Sequence, residues 1–103
     1  GLLAAPGAQA ANYYRGISWY WLDDVDCGWY DYCYGMKVKA SRVSCPDGLY
    51  VTLKEYDDSG NIVGSTIDSV DSLYRGETAI LVFPSIEDSA ETARLSRMEC
   101  FNF

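Results

Sequence analysis

The stretch that decides the fold runs from Leu49 to Phe83 and reads LYVTLKEYDDSGNIVGSTIDSVDSLYRGETAILVF. Its first segment alternates between apolar residues on one side (Leu49, Val51, Leu53) and residues with a polar group on the other (Tyr50, Thr52, Lys54, Tyr56). Successive side chains of a β-strand point to opposite faces of the sheet. This period of two therefore predicts a strand with one buried face.

Two turns divide the stretch into three strands. Residues 57–61, DDSGN, supply turn chemistry, because Asp and Asn side chains bond the nearby backbone and Gly accepts a positive φ. Residues 72–77, SLYRGE, form a second polar turn with Gly76 at its tightest point. We expect a second strand over 62–70 and a third over 78–83, ended by Pro84, in an antiparallel arrangement.

The residues before this stretch also read as strands. Residues 12–22 predict one N-terminal strand, with Ile17, Trp19 and Trp21 on one face. Tyrosines recur at every second position from Tyr30 to Tyr34. Residues 36–43 alternate apolar and basic side chains, which is typical of a sheet with one solvated face.

The residues after the stretch are less regular. Residues 86–94 are the one helix-like piece, with Asp88 or Ser89 able to cap one or two turns. Residues 95–103 return to a strand, and the spacing from Leu95 to Met98 indicates a bulge. Six or seven strands separated by regular turns predict an all-β fold, an antiparallel immunoglobulin-like β-sandwich.

Size and charge limit the possible partners. The 103 residues, 49% hydrophobic and 15% aromatic, fit a single folded β-sandwich domain, assigned to 11–103. The net charge of −7 repels phosphate backbones, so we expect no nucleic-acid partner, and it also disfavours anionic membrane surfaces. No stretch is apolar for the length of a spanning helix, so we expect no membrane span. The oligomeric state stays open.

The four cysteines are Cys27, Cys33, Cys45 and Cys100, and the chain has no histidine. A zinc site lacks its usual ligand spacing, so two disulfides are the better interpretation. Four cysteines allow three connectivities. Their positions favour Cys27–Cys33 within one short loop and Cys45–Cys100 across the domain. Disulfides indicate an oxidising compartment.

The amino terminus agrees with export. Residues 1–10, GLLAAPGAQA, resemble the end of a secretory signal: an apolar piece, a Pro-Gly break and the small-residue pattern Ala8-Gln9-Ala10. The mature chain would then begin at Ala11. The alternative is a flexible, Ala-rich terminus without a targeting role. We expect a secreted protein, outside the cell or in the cell envelope.

The fold-deciding stretch also resembles a known family, the FxLYD-type immunoglobulin-like domains of secreted and lipid-anchored bacterial proteins. The resemblance covers roughly residues 36–100 and lies in four features: the pair Tyr56-Asp57, the hairpin with Gly60-Asn61, the strand that begins Ile62-Val63-Gly64, and the turn with Leu73, Gly76 and Glu77 before an apolar strand. It implies the sandwich fold and no catalytic residues, because the family is not enzymatic as a class.

The residues themselves favour no enzyme, cofactor or metal. Without histidine, nucleophilic triads would need a lysine or carboxylate variant, and the three lysines lie in strands on solvated faces. Asp23, Asp24 and Asp26 share one loop without a sign of desolvation. Calcium binding is an alternative for that loop and for residues 57–68, although the latter has its glycine at the wrong position for a calcium loop.

The candidate binding feature is an aromatic belt between Tyr13 and Tyr34. Exposed Tyr and Trp provide rigid contact area with a polar group, which favours protein interfaces or stacking on sugar rings. Trp19 and Trp21 are expected in the core. The predicted binding residues are Tyr20, Trp29, Tyr30, Tyr32 and Tyr34.

Two functions from different classes fit this feature. The first is a secreted, non-catalytic interaction module whose partner is a protein or a glycan at the cell surface or outside the cell. The second is a proteinaceous inhibitor of an extracellular hydrolase, of the kind of the tendamistat-like amylase inhibitors, with Trp19–Trp21 or Trp29–Asp31 as the inserted triplet. A purely structural envelope domain, in which the aromatics only cover the sheet and the disulfides, is a further alternative.

Overall fold

A computed structural model describes residues 12–103, which form two antiparallel sheets. The strands are β1 (Asn12–Tyr14), β2 (Ile17–Leu22), β3 (Tyr32–Ala40), β4 (Leu49–Tyr56), β5 (Ile62–Val70), β6 (Thr78–Ser85) and β7 (Thr92–Cys100). One sheet has the order β1-β2-β3-β6 and the other β5-β4-β7. The predicted antiparallel all-β sandwich is confirmed. The proposed signal remnant, residues 1–10, lies outside the described residues.

β4 is the central strand of its sheet and supplies the middle of the core. Its inward row consists of Leu49, Val51, Leu53 and Glu55, all fully buried, between β5 on one side and β7 on the other. Apolar side chains of the facing sheet pack against this row (Ile17, Trp19, Met36, Val38, Leu81, Phe83). Burial of each large apolar side chain contributes about 2 kcal/mol.

The two predicted turns of the fold-deciding stretch are present. The Asp57 carboxylate accepts hydrogen bonds from the backbone N–H groups of Ser59 and Asn61, at 2.9 and 2.8 Å. The hydrogen bond from the Asn61 N–H lowers the pKa of Asp57. This carboxylate therefore stabilises the hairpin. At the second turn, Gly76 has a φ of 92° and Glu77 N–H bonds the Tyr74 carbonyl at 2.8 Å.

The predicted single N-terminal strand is wrong in one respect, because residues 12–22 form a hairpin. Arg15 and Gly16 both have positive φ, 48° and 88°, and reverse the chain so that Tyr14 pairs with Ile17. A two-residue turn of this hand matches the twist of antiparallel strands. A side chain at Gly16 would also meet Val43, whose Cγ1 lies 2.8 Å from the Cβ position.

The predicted helical piece at 86–94 is also wrong. Residues 86–91 are a loop, and β7 begins at Thr92, which pairs with Tyr56. The N–H of Glu91 donates to the Tyr56 carbonyl at 2.8 Å, so the chain is already held against β4. Strand pairing outweighs the local helix preference of so short a segment. The predicted bulge is confirmed, since Ser96 has no partner between Leu95 and Arg97.

β6 continues two residues past the predicted end at Phe83. Pro84 pairs with Cys33 of β3. Its nitrogen lies on the opposite edge of β6, which faces β5, so the missing N–H removes no hydrogen bond between β3 and β6. Side chains of β5 satisfy that edge. Thr66 Oγ1 donates to the Pro84 carbonyl at 2.6 Å, and Asp68 Oδ2 accepts from the Val82 N–H at 2.8 Å. The two sheets are thereby joined along the β5–β6 side.

Both disulfides have the predicted pairing, Cys27–Cys33 and Cys45–Cys100. Cys45 is buried in the core and forms an isolated antiparallel β-bridge with Leu73. Cys100 is the last residue of β7. The second disulfide therefore ties the entry of β4 to the last strand. Two disulfides in a domain of this size indicate an oxidising environment. In residues 12–103 no helix has the length and apolarity needed to cross a membrane.

The two disulfides should differ in their contribution to stability. Because the cysteine separations are 55 and 6 residues, chain entropy predicts a loss of about 4 kcal/mol for Cys45→Ser with Cys100→Ser and about 2 kcal/mol for Cys27→Ser with Cys33→Ser. Urea unfolding of the two double variants measures this difference. An equal or smaller loss for the Cys45/Cys100 pair would contradict the assigned role of that bond.

Candidate functional site

The loop between β2 and β3 is built from two local constraints. Its first part is held by Val25, which packs so closely over Gly35 of β3 that a side chain at position 35 would overlap it. Its second part is the short ring closed by Cys27–Cys33. Inside that ring the Tyr30 N–H donates to the Cys27 carbonyl at 3.2 Å. The loop thus has one fixed attachment to the sheet at each end.

This ring presents three aromatic side chains to solvent. Trp29 is 100% exposed, Tyr32 73% and Tyr30 48%. Exposure on this scale is unusual for aromatic residues, which proteins mostly bury. The disulfide and the turn inside the ring constrain the backbone that carries them. Exposed aromatic residues grouped in this way are typical of binding surfaces.

The ring faces a second loop, residues 86–91, and the two enclose a groove. One part of the groove, about 270 Å³, is lined by Tyr32, Cys33, Tyr34, Ser85, Glu87, Asp88, Ala90 and Glu91. An adjoining part, about 210 Å³, is lined by Trp29, Tyr30, Asp31, Tyr32, Ser85, Ile86, Glu87 and Asp88. The parts share Tyr32, Ser85, Glu87 and Asp88. We call this combined surface the aromatic–acidic groove.

A buried carboxyl group lies beneath the groove. Glu55 of β4 is 1% exposed, and its Oε2 accepts hydrogen bonds from the hydroxyls of Tyr34 on β3, at 2.8 Å, and Ser85 on β6. Tyr34 and Ser85 both line the groove. Glu55 therefore ties the floor of the groove, formed by one sheet, to the central strand of the other sheet.

The ionisation of Tyr34 reflects this environment. Burial raises the pKa of Tyr34 from 10.0 to about 12, and the hydrogen bond to Glu55 and the negative charge of Glu55 add to the rise. The neutral hydroxyl is thus kept as a donor to Glu55. Tyr34 acts as a structural part of the groove floor.

The structure brings together four of the five aromatic residues predicted to bind: Trp29, Tyr30, Tyr32 and Tyr34. Tyr20 lies elsewhere, partly buried, and lines a separate depression together with Lys37 and Lys39. Trp19 is in the core as expected. Trp21 packs against the core and meets Trp19 edge to face, with ring centroids 5.4 Å apart.

Sequence reasoning missed Glu55 and the acidic wall of the groove. The alternation that placed Leu49, Val51 and Leu53 inward also places Glu55 inward, so the signal for a buried carboxyl was present in the strand pattern. Glu87 and Asp88 were assigned to a helix, and their position opposite the aromatic ring depends on long-range strand pairing. Among residues 12–103, no group of three or more acidic or cysteine side chains is placed so that it could hold a metal ion.

Comparison of the chain with protein-family models, with curated proteins and with solved structures finds no match. The resemblance to FxLYD-type domains therefore stays a prediction.

The hydrogen bond between Tyr34 and Glu55 should give a defined pH dependence of stability. In the unfolded chain the tyrosine ionises near its ordinary pKa of 10.0, whereas in the folded protein it ionises near about 12. Stability from neutral Tyr34 is therefore fully present below pH 10 and is lost as the pH rises towards about 12. Tyr34→Phe should lower the free energy of unfolding by about 1–3 kcal/mol at neutral pH. It should also remove this part of the loss of stability at alkaline pH.

Urea unfolding at neutral pH and at about pH 11 tests this expectation. The matched control is Tyr74→Phe, at an exposed tyrosine in the turn before β6. This variant should lose as much stability at alkaline pH as the parent protein does. If Tyr34→Phe keeps the full alkaline loss as well, the assigned role of the Tyr34 hydroxyl is wrong.

Proposed function

We propose that this protein is a secreted, non-catalytic binding module that takes a protein or a glycan into the aromatic–acidic groove. The observation that carries the proposal is the joint exposure of Trp29, Tyr30 and Tyr32 along that groove. These side chains are costly to leave in water unless a ligand covers them. They also stand on a ring closed by a disulfide, so little backbone entropy is lost when a ligand binds.

The groove suits a polar ligand with an apolar face. The aromatic rings of Trp29 and Tyr32 offer flat surfaces for stacking, and the carboxylates of the 86–91 loop accept hydrogen bonds. A sugar ring or an extended peptide segment would meet both requirements. Binding in this way needs no catalytic group, in line with the absence of histidine from the chain.

Secretion is part of the same proposal. The two disulfides support an oxidising compartment, and the pattern of residues 1–10 is that of a cleaved signal. A module outside the cell would meet glycans and the surfaces of other proteins directly. Non-enzymatic recognition is also what the resemblance to FxLYD-type domains implies.

The second candidate is an inhibitor of an extracellular hydrolase. It is favoured by the complete exposure of Trp29 within the ring closed by Cys27–Cys33, since a rigid loop with an aromatic tip can enter an enzyme cleft. Stoichiometric inhibition of a glycosidase or protease that is lost in Trp29→Ala would favour this candidate over a simple binding module.

The binding proposal is tested with a glycan array and a panel of extracellular proteins. Trp29→Ala combined with Tyr32→Ala should weaken binding of the ligand found for the parent protein at least about tenfold, because central aromatic residues dominate such interfaces. The matched control is Tyr13→Ala with Tyr74→Ala, two exposed tyrosines (70% and 52%) that do not line the groove. Equal loss in both double variants, or none in the first, would contradict the proposal.

A further inference from the structure

We propose that the aromatic–acidic groove binds an arginine or lysine side chain, so that the ligand of this module is a basic segment of a partner protein. The inference rests on the proposed binding function and names the chemistry of its ligand. It is carried by the charge of the groove, by the carboxyl group beneath it and by its aromatic wall.

The groove has acidic side chains in its lining and no basic ones. Four carboxyl side chains line it, those of Asp31, Glu87, Asp88 and Glu91, and its lining includes no lysine or arginine. All eight basic residues of the chain lie within residues 12–103. In that part of the chain the one ion pair within 4 Å joins Arg97 to Glu99, away from the groove. These four carboxylates are exposed, so water and counterions balance them in the free protein. A basic side chain of a ligand would supply the complementary charge that the lining of the groove lacks.

The buried carboxyl group of Glu55 lies close to this acidic surface. Its Oε2 takes both hydroxyl hydrogen bonds, whereas Oε1 faces Gly64 of β5, 3.3 Å from the position that a Cβ there would occupy. Cγ of Glu87 lies 2.8 Å from the same position. Glu55 and Glu87 therefore approach each other over a glycine that leaves them room, one below the groove and the other in its wall.

The aromatic wall is suited to a cation. A guanidinium or ammonium group is attracted to the faces of Trp and Tyr, and the attraction is greatest where the group is partly desolvated. Trp29, Tyr30 and Tyr32 lie in the part of the groove that Glu87 and Asp88 also line. A single arginine or lysine side chain could stack on a ring and bond a carboxylate at its tip.

Other cationic and neutral ligands fit less well. Calcium needs several oxygen ligands that converge on one point. Among residues 12–103, no three acidic side chains, those of the groove included, are close enough together to hold a metal ion. A neutral sugar would stack on the rings and donate hydrogen bonds to the carboxylates but would bring no positive charge to balance theirs, and an anionic glycan would be repelled. A basic peptide uses both walls of the groove.

The test compares short extended peptides that differ in one central residue. Arginine is matched with citrulline, which keeps its shape without the charge, and lysine is matched with acetyl-lysine. We expect the charged peptide of each pair to bind at least about tenfold more tightly, as measured by calorimetry or fluorescence. Raising the salt concentration should reduce this preference, since salt screens exposed charges.

Two variants locate the effect. Glu87→Gln with Asp88→Asn should greatly reduce the preference for the charged peptide, while Asp58→Asn, which removes a charge in the exposed hairpin between β4 and β5, should preserve it. Circular dichroism and thermal unfolding confirm that each variant is folded.

The outcomes separate this inference from the proposed function. Equal affinity for charged and neutral peptides, or no peptide binding, overturns the cation proposal. If a glycan is then found whose binding is lost in Trp29→Ala with Tyr32→Ala, the binding function stands with a different ligand. If no ligand depends on these aromatic residues, both are wrong.

Discussion

The rest of the structure is arranged around a carboxyl group that is buried without a cation. Glu55 occupies the last inward position of β4, where the pattern of Leu49, Val51 and Leu53 calls for another apolar side chain. Burying a carboxyl group costs free energy unless hydrogen bonds replace those to water. The hydroxyls of Tyr34 and Ser85 supply these bonds from the opposite sheet. At this end of the sandwich, hydrogen bonds between side chains therefore join the two sheets across the core.

The two ends of β4 are held in different ways, and the groove lies at one of them. At the start of β4, the Cys45–Cys100 disulfide ties the strand to the end of β7. At the end that carries Glu55, the residues that bond its carboxyl group form the floor between the 27–33 ring and the 86–91 loop. The hydroxyl contacts that satisfy Glu55 therefore also hold the floor of the groove in place.

Much of the fold could be predicted because its signals are local. Alternation in residues 49–56, the turn chemistry of Asp57 and Gly60, and the loop positions of the cysteines each depend on neighbouring residues, and the structure has them as expected. The errors come from tertiary context: the reversal at Gly16 and the pairing of Thr92 with Tyr56 override local preference. The same distinction holds for the groove. Its aromatic residues lie on one short loop and were predicted, whereas its acidic residues reach the groove only because β4 pairs with β7.

The most direct test of this account is a map of where a cation binds on the folded protein. Amide and indole NMR signals would be followed while N-acetyl-arginine amide is added to the parent protein. The account predicts that the indole of Trp29 and the amides of residues 31–34 and 85–91 shift together, with the buried Trp19 unchanged. Shifts elsewhere on the surface, with none at Trp29 or in 85–91, would contradict the claim that the aromatic–acidic groove is the binding site.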